Sequence, residues 1–592
     1  MKGTAIWVIL SCLMVVALLT TSCAPATTTT PVPTATPTPT ATPTLTATPT
    51  PTQETPRYGG MLKNTLSSSP LFFDEVVNHI YGAPSMDYTN ENLLMGDWAK
   101  GLMGTGKASF QYNVLPSGDA LAGCLAESWE IVNDQTFVFH IRKGVYFHNK
   151  PPTNGRELNA NDVVFSLKRL WEAPTHYYYQ SFPWSKYLES IEAPDKWTVV
   201  VKTKPRLGGP IFEYAGDQSK IVPPEVIKQY GDLRDWRNAC GTGAFMLVDY
   251  VADSSITFKR NPNYWGKDPL HPQNTLPYVD EVRLVIMTDL SSRLAAMRTG
   301  QVDRISGITW QDADNMKKTN PELKYLKVLQ AGNADCMWPR LDKKLPWDDI
   351  KVRRALAMGI DRPAIVRDYY KGNAELLVSP VPPIPEFARC YVPLAELPEA
   401  TRQLFEYHPD TAKQLLAEAG YPNGFKTEIL CQQSQVDMLS LVKSYWAKIG
   451  VDLKLDVKEY GAYSSGCSNH TYPEMCIWWD LPTICYKFTR TVPGGTSNYA
   501  MINDPRINAA QAAVEAVYLD SAKRDEEMKK IVPYILEQAY WIQLPVVYAY
   551  AFWQPWLKGY GGEYTLGMYQ YGDVYKHVWI DQELKDKMTG RK

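Results

Sequence analysis

The sequence is poor in the residues that metal, redox and hydrolytic sites need in clusters. Ten cysteines and eight histidines are spread over 592 residues. No Cys-x-x-Cys occurs, which excludes zinc ribbons and thioredoxin-like redox sites. No His-Glu-x-x-His or other compact metal spacing is present. A Gly-x-Ser-x-Gly nucleophile elbow is missing as well. There is no excess of positive charge: 61 Lys+Arg face 63 Asp+Glu, a net charge of −2. That balance excludes a basic nucleic-acid-binding domain. The one notable apolar run, Ala5 to Leu19, has 15 residues, short of the roughly 20 that a membrane span needs.

What is present describes a large globular body. Hydrophobic residues are 45% and charged residues 21%, near globular averages, so the chain can bury a sizeable core. Eighteen Trp, 36 Tyr and 16 Phe make 12% aromatics, side chains that combine apolar area with a polar handle and suit a concave ligand site.

The N-terminus reads as an export signal over residues 1–22. Lys2, the apolar run and small residues before Cys23 form its three parts. Ser22-Cys23 resembles the end of a bacterial lipoprotein signal, in which the Cys thiol is lipidated; Thr20 departs from that pattern, with Leu19 one place early. Residues 23–56 follow as a Thr/Pro-rich linker. Nine of the 44 prolines fall there, so the segment is a semi-rigid spacer with no apolar face to bury. The expectation is an extracytoplasmic protein, in the periplasm or on the cell surface, anchored to the membrane through Cys23. The eight cysteines beyond the signal are too few for a disulfide scaffold.

The best catalytic decoy is Gly101-Leu102-Met103-Gly104-Thr105-Gly106-Lys107-Ala108. It fits a phosphate-binding loop up to Ala108, which lacks the hydroxyl that binds magnesium. It reads as a glycine-rich surface loop. His140 sits in an alternating strand and reads as structural. Paired carboxylates of a secreted glycoside hydrolase come from distant positions, so that enzyme is the alternative from another class. Otherwise the reading is of a protein that is not an enzyme, with no catalytic residues, no metal site and no cofactor.

Elements alternate along the body. Trp129 to Gly144 reads as two strands around Asn133-Asp134. Asn159 reads as a helix N-cap, with Asp162 three residues on. Glu281–Met287 reads as a strand, Ser291–Thr299 as a helix and Gln301–Ile305 as a short strand. Asp410 starts a helix that Gly420 stops. Val451 to Val457 alternates like a half-buried strand. The fold class is α/β.

Five blocks occur in one order. They are Leu125-Ala126-Glu127-Ser128-Trp129 with Phe139 to His148 and Asn159 to Ser166; Gly241-Thr242-Gly243-Ala244-Phe245 with Lys259 to Trp265; Arg293 to Asp303; Val352 to Leu356 with Gly359-Ile360-Asp361-Arg362; and Ala412 to Pro422. Together they resemble the family 5 solute-binding proteins of ABC importers, the oligopeptide- and dipeptide-binding group. By the residues alone these blocks are mostly scaffold; Gly241-Thr242-Gly243 suits a turn of unusual backbone angles.

The resemblance implies a two-lobed periplasmic-binding-protein-like fold, a venus flytrap, with an additional subdomain on the first lobe. Lobe I would combine residues 57–74, 188–305 and 530–592; the subdomain would be 75–187 and the second lobe 306–529. The implied function is capture of a peptide by hinge closure and delivery to an ABC permease in the membrane, by a monomer. Oligosaccharides and nickel complexes are the alternatives within the family. In peptide-binding relatives an Asp near a Trp pairs with the ligand's α-ammonium; the matching segment holds Trp478, Trp479 and Asp480. The resemblance also places Tyr460, Trp338, Ser68 and Ser69 at the ligand wall. A Cys336–Cys476 disulfide, as in some relatives, and a local Cys476–Cys485 bridge are equal alternatives.

Overall fold

The computed structural model describes residues 54–77, 82, 85–112, 114–116, 118–205, 208–480, 490–493 and 497–590. The export signal, Cys23, nearly all of the linker and Cys485 lie outside the described residues. The body runs from Pro56 onward.

Strand alternation builds the first sheet. In Glu281–Ile286, Val282, Leu284 and Ile286 are buried between half-buried neighbours. It pairs in parallel with Met61–Leu66, from Met61↔Glu281 to Leu66↔Ile286. The sheet has eight strands in the order Lys324–Leu329, Val546–Trp553, Arg304–Ile308, Met61–Leu66, Glu281–Ile286, Ser255–Arg260 and Phe245–Val251, with Ala374–Glu375 added beside Val546–Trp553. One face carries Leu62, Val282, Phe258 and Trp553 beneath Trp556, Tyr560 and Tyr575. On the other, Ile305, Ile308 and Phe552 pack under Leu294, Met297, Ala313 and Met316 of the helices Leu290–Arg298 and Trp310–Thr319. Each fully buried large side chain contributes about 1.5–3 kcal/mol.

A four-stranded antiparallel sheet orders Ala126–Asn133, Thr136–Ile141, Thr198–Thr203 and Leu188–Asp195. The turn between its first two strands is the one the sequence marks at Asn133-Asp134. The helix Ala160–Glu172 starts on the expected capping box: Asn161 N–H donates to the Asn159 side chain, and Asn159 N–H to Asp162, both at 2.9 Å. His140 bonds Glu130 across the hairpin at 2.8 Å, as a structural residue would.

A third sheet has five strands in the order Asp452–Lys458, Lys426–Gln432, Met475–Asp480, Ala334–Pro339 and Ile542–Gln543. The first three run parallel, and Ala334–Pro339 is antiparallel to Met475–Asp480. The helices Ile350–Met358, Pro409–Glu418 and Val436–Ala447 cover it through Val352, Leu356, Leu416, Leu439 and Trp446. The chain passes directly between the eight- and five-stranded sheets at residues 330–333 and 544–545, and it also returns to the eight-stranded sheet at Ala374–Glu375 before re-entering the five-stranded one at Lys426–Gln432.

Three local expectations need correction. The short strand read at 301–305 lies at Arg304–Ile308. Asp303 turns instead to accept Lys63 N–H at 2.6 Å, Trp556 Nε1–H at 2.7 Å and Lys585 Nζ at 2.8 Å. Gly241 and Gly243 are required by close approach, not by unusual angles: a Cβ on Gly241 would stand 2.1 Å from the Thr89 carbonyl. Cys336 and Cys476 are buried thiols with no disulfide between them, each opposite a Trp, as Cys336↔Trp478 and Trp338↔Cys476. The glycine-rich segment 101–108 is a set of turns, and Lys107 reaches Asp119 at 3.6 Å.

Candidate ligand-binding site

The antiparallel register sets the centre of the site. Ala334 faces Asp480, Cys336 faces Trp478 and Trp338 faces Cys476. Asp480 thus ends its strand beside the 330–333 crossing. Its side chain is 2% exposed and that of Arg490 3%, and Arg490 Nε lies 3.5 Å from Asp480 Oδ1. The Ser379 hydroxyl donates to Asp480 Oδ2 at 2.5 Å, and Trp541 Nε1–H donates to Ser379 Oγ at 3.0 Å. Arg490 also donates to the Trp479 carbonyl at 2.6 Å and lies over Tyr499. A buried carboxylate requires such compensation, because burying an isolated charge costs several kcal/mol.

Aromatic rings pack around this charge pair. Trp338 lies 5.0 Å from Trp541, and its Nε1–H donates to the Trp478 carbonyl at 3.0 Å. Trp478 stacks on Trp479 at 4.2 Å. On the strand facing Trp479, burial pushes the Asp335 carboxyl up to about 6, opposed by a hydrogen bond from Gln435.

A cavity of about 170 Å³ opens at the same crossing. Its walls include Gln111, Tyr112, Ser306, Asn333, Tyr550 and Tyr564. Asn333 directly precedes Ala334, the register partner of Asp480, so the charge pair and the cavity share the crossing. Tyr112 meets Tyr564 edge-on at 5.3 Å, and Tyr571 meets Tyr564 at 5.5 Å. Burial raises the Tyr564 and Tyr571 phenols, so both remain neutral and able to donate at physiological pH.

Glu386 anchors one wall. Its carboxylate accepts Ser109 N–H at 2.7 Å, the Ser109 hydroxyl at 2.8 Å and Phe110 N–H at 3.2 Å. Phe110 has φ 47°, a left-handed conformation that costs a non-glycine residue about 1–2 kcal/mol. Its carbonyl accepts Tyr564 N–H at 2.9 Å. Both ends of the strained residue are therefore held.

The sequence-derived residues divide. Asp480, Trp478, Trp479 and Trp338 lie in one cluster, with Trp338 wholly buried beneath it. Tyr460 starts the helix Tyr460–Ser468 and is 46% exposed, linked to Trp478 through Tyr463. None of the seven lines the cavity itself, and Ser68 and Ser69 also lie apart from the Asp480 cluster; Ser69 Oγ donates to Asp253 at 2.9 Å and receives the Asp253 N–H at 2.8 Å. Sequence reasoning missed Ser379, Arg490, Trp541, Glu386, Tyr112 and Tyr564. Only the density of tyrosine near the C-terminus signalled any of them. Among the described residues no cluster of three His, Cys, Asp or Glu could hold a metal ion, and no helix is long and apolar enough to cross a membrane.

Comparison with known proteins gives a consistent result. The model of the bacterial extracellular solute-binding proteins, family 5, middle region, matches residues 120–483. Heme-binding protein A of Haemophilus influenzae is 31% identical over 474 residues, covering 74% of this chain and 81% of that protein. The dipeptide-binding protein of Escherichia coli is 29% identical over 377 residues, covering 60% of this chain and 66% of that one. Among solved structures, the periplasmic binding protein DppA of Helicobacter pylori, in complex with peptide STSA, aligns with TM-score 0.67 at 24% identity, over 89% of this chain and 99% of that one. HbpA2 of Haemophilus parasuis aligns with TM-score 0.69 at 22% identity, over 88% of this chain and all of that one. At these identities the structures establish the fold, which is the expected α/β two-lobed one.

Proposed function

We propose that this chain, which belongs to the bacterial extracellular solute-binding proteins of family 5, captures short peptides between its lobes and presents them to an ABC permease. Binding is the whole of its task in this reading, with no bond made or broken. The observation that carries it is Asp480: a carboxylate 2% exposed, at a strand end beside an aromatic-walled cavity. The peptide's α-ammonium would share Asp480 with Arg490, while Trp478 and Trp479 pack against its first side chain. Extended peptides further offer backbone groups to a sheet edge or loop.

Closure follows from the crossings. The segments 330–333 and 544–545 are short, and 330–333 lines the cavity, so the two serve as the hinge. Beside the expected 306–529, a second lobe of about 334–543 fits the sheets better, because the strands Arg304–Ile308 and Lys324–Leu329 belong to the eight-stranded sheet, to which only Ala374–Glu375 of that span returns among the described strands. A ligand shifts such an equilibrium only by binding the closed form more tightly. The contact of Glu386 with Ser109 and Phe110 supplies part of that difference. The protein acts outside the cytoplasmic membrane as a monomer, tethered through lipidated Cys23 and the Thr/Pro-rich linker.

The test is a titration of the full chain with a pool of short peptides, then with an oligosaccharide pool, followed by tryptophan fluorescence and melting temperature. Stabilisation by peptides recovered intact supports the proposal. Stabilisation by sugars alone moves the ligand class, and consumption of either pool contradicts a binding-only role.

A further inference from the structure

Every described cysteine is buried, and the fold brings two of them, Cys467 and Cys476, face to face. Cys467 lies on the helix Tyr460–Ser468 and Cys476 on the strand Met475–Asp480. Eight residues separate them. The chain reverses in that interval, where His470 has φ 53°, and returns along the strand beneath the helix.

Two contacts fix how the helix lies on the sheet. The Tyr463 ring stands 5.0 Å from Trp478, and its hydroxyl donates to the Ile477 carbonyl at 2.6 Å. Gly466 approaches Leu430 so closely that a Cβ there would stand 2.7 Å from Leu430 Cδ2. Leu430 is the register partner of Cys476 on the neighbouring strand. Cys467 is one helical turn beyond Tyr463, and Cys476 is two positions before Trp478 on the same strand face. Those steps are about 6.0 Å along the helix and about 6.6 Å along the strand. Matching Tyr463 with Trp478 therefore sets Cys467 over Cys476, and the two thiols lie within hydrogen-bonding reach of each other.

The turn between them is pinned separately. Arg340 donates to the His470 and Tyr472 carbonyls at 2.6 and 3.0 Å. The neighbouring thiols are placed otherwise. Cys431 follows Leu430 and so faces the other side of its strand, and Cys336 stands opposite Trp478 in the register.

We propose that Cys467 and Cys476 are joined as a disulfide in the exported protein, fastening the helix that carries Tyr463 to the strand that ends at Asp480. The bond forms by thiol–disulfide exchange: the two thiols give up two protons and two electrons, and a disulfide of the oxidising compartment is reduced to two thiols. This rests on the extracytoplasmic setting, where disulfides persist, and not on the identity of the ligand. Burial raises the Cys476 thiol well above its ordinary range, so the folded protein offers no thiolate there. The exchange takes place while the chain folds.

The test uses the full chain isolated from the exporting cell. Free thiols are alkylated in denaturant, and the protein is cut without reductant by a glutamate-specific protease, which separates the two cysteines at Glu474. Mass spectrometry should find a linked Cys467–Cys476 pair with neither residue alkylated. In parallel, the chain is reduced, unfolded and refolded with or without oxidised glutathione. The oxidised form should melt several degrees above the reduced one. Cys467→Ala should show no such difference and should yield an alkylated Cys476. Alkylation of both cysteines in the isolated native chain would overturn the inference, and so would a link from either to Cys431 or Cys485. A linked pair with equal melting temperatures would overturn the fastening role. None of these outcomes depends on peptide binding, so failure of the peptide reading leaves them intact.

Discussion

The carboxylate of Glu386 receives the backbone N–H of Ser109 at 2.7 Å, although the two residues are 277 positions apart. The bond ties the short 3₁₀ turn Pro385–Phe387 to the loop that forms one cavity wall. With the Ser109 hydroxyl and Phe110 N–H on the same carboxylate, three donors of that wall converge on one side chain of the segment following the Ala374–Glu375 strand.

Weakening this contact should loosen the closed form. Hydrogen bonds to a charged group contribute about 1.5–3 kcal/mol, so Glu386→Gln should lower peptide affinity by about 10-fold or more. Small-angle scattering should show a larger radius of gyration in the ligand-bound variant. Calorimetry showing less than about a 2-fold loss would mean that closure does not depend on the Glu386 charge.

Asp480→Asn keeps the shape and removes the charge. It should weaken peptide binding by more than about 10-fold, in line with a lost charge-assisted bond. A loss under about 3-fold would remove Asp480 from the ligand site and leave it as the structural partner of Arg490 and Ser379.

Lys220 and Asp87 form an ion pair with both side chains wholly buried. Asp87 also accepts the Gly572 N–H at 2.6 Å. Removing one partner strands the other, so Lys220→Met should cost about 3–5 kcal/mol in chemical denaturation. The double variant Lys220→Met with Asp87→Leu should recover much of that. A double variant no better than the single one would show that Asp87 is held mainly by its other contacts.

Asp217 should give a pH signature. Burial pushes its carboxyl up from 3.8 to about 8, opposed by the Met568 N–H at 3.0 Å. The folded state therefore keeps a proton that the unfolded state releases between those values. The stability this group contributes is full below about pH 4 and is lost as pH rises through about 8. Asp217→Asn cannot ionise, so its melting temperature should fall less than the native one between about pH 5 and pH 9. Parallel falls would contradict the raised value.

Much of the scaffold was legible because its signals are local. The turn at Asn133-Asp134, the Asn159–Asp162 capping box, the helix closed by Gly420 (φ +92°) and the alternating strand Asp452–Lys458 are all found where the sequence places them. The strand read at 301–305 slipped by three residues because Asp303 has three distant partners, Lys63, Trp556 and Lys585. Periodicity carries no trace of them. The site was only partly legible for the same reason. Trp478-Trp479-Asp480 is contiguous, so it could be found. Ser379 is 101 residues from Asp480, and Trp541 is 162 residues from Ser379. Their roles exist only once the five-stranded sheet has formed.

The central claim is capture of an intact peptide by Asp480 and the cavity beside it. The most direct measurement is calorimetric titration of the full chain with short free-acid peptides, with mass spectrometry of every peptide afterwards. The account predicts saturable one-to-one binding, full recovery of the peptides, and stabilisation of about 2.7 kcal/mol at 100 times the dissociation constant. Absence of heat and of stabilisation across the pool, or shortened peptides in the recovered sample, would contradict it.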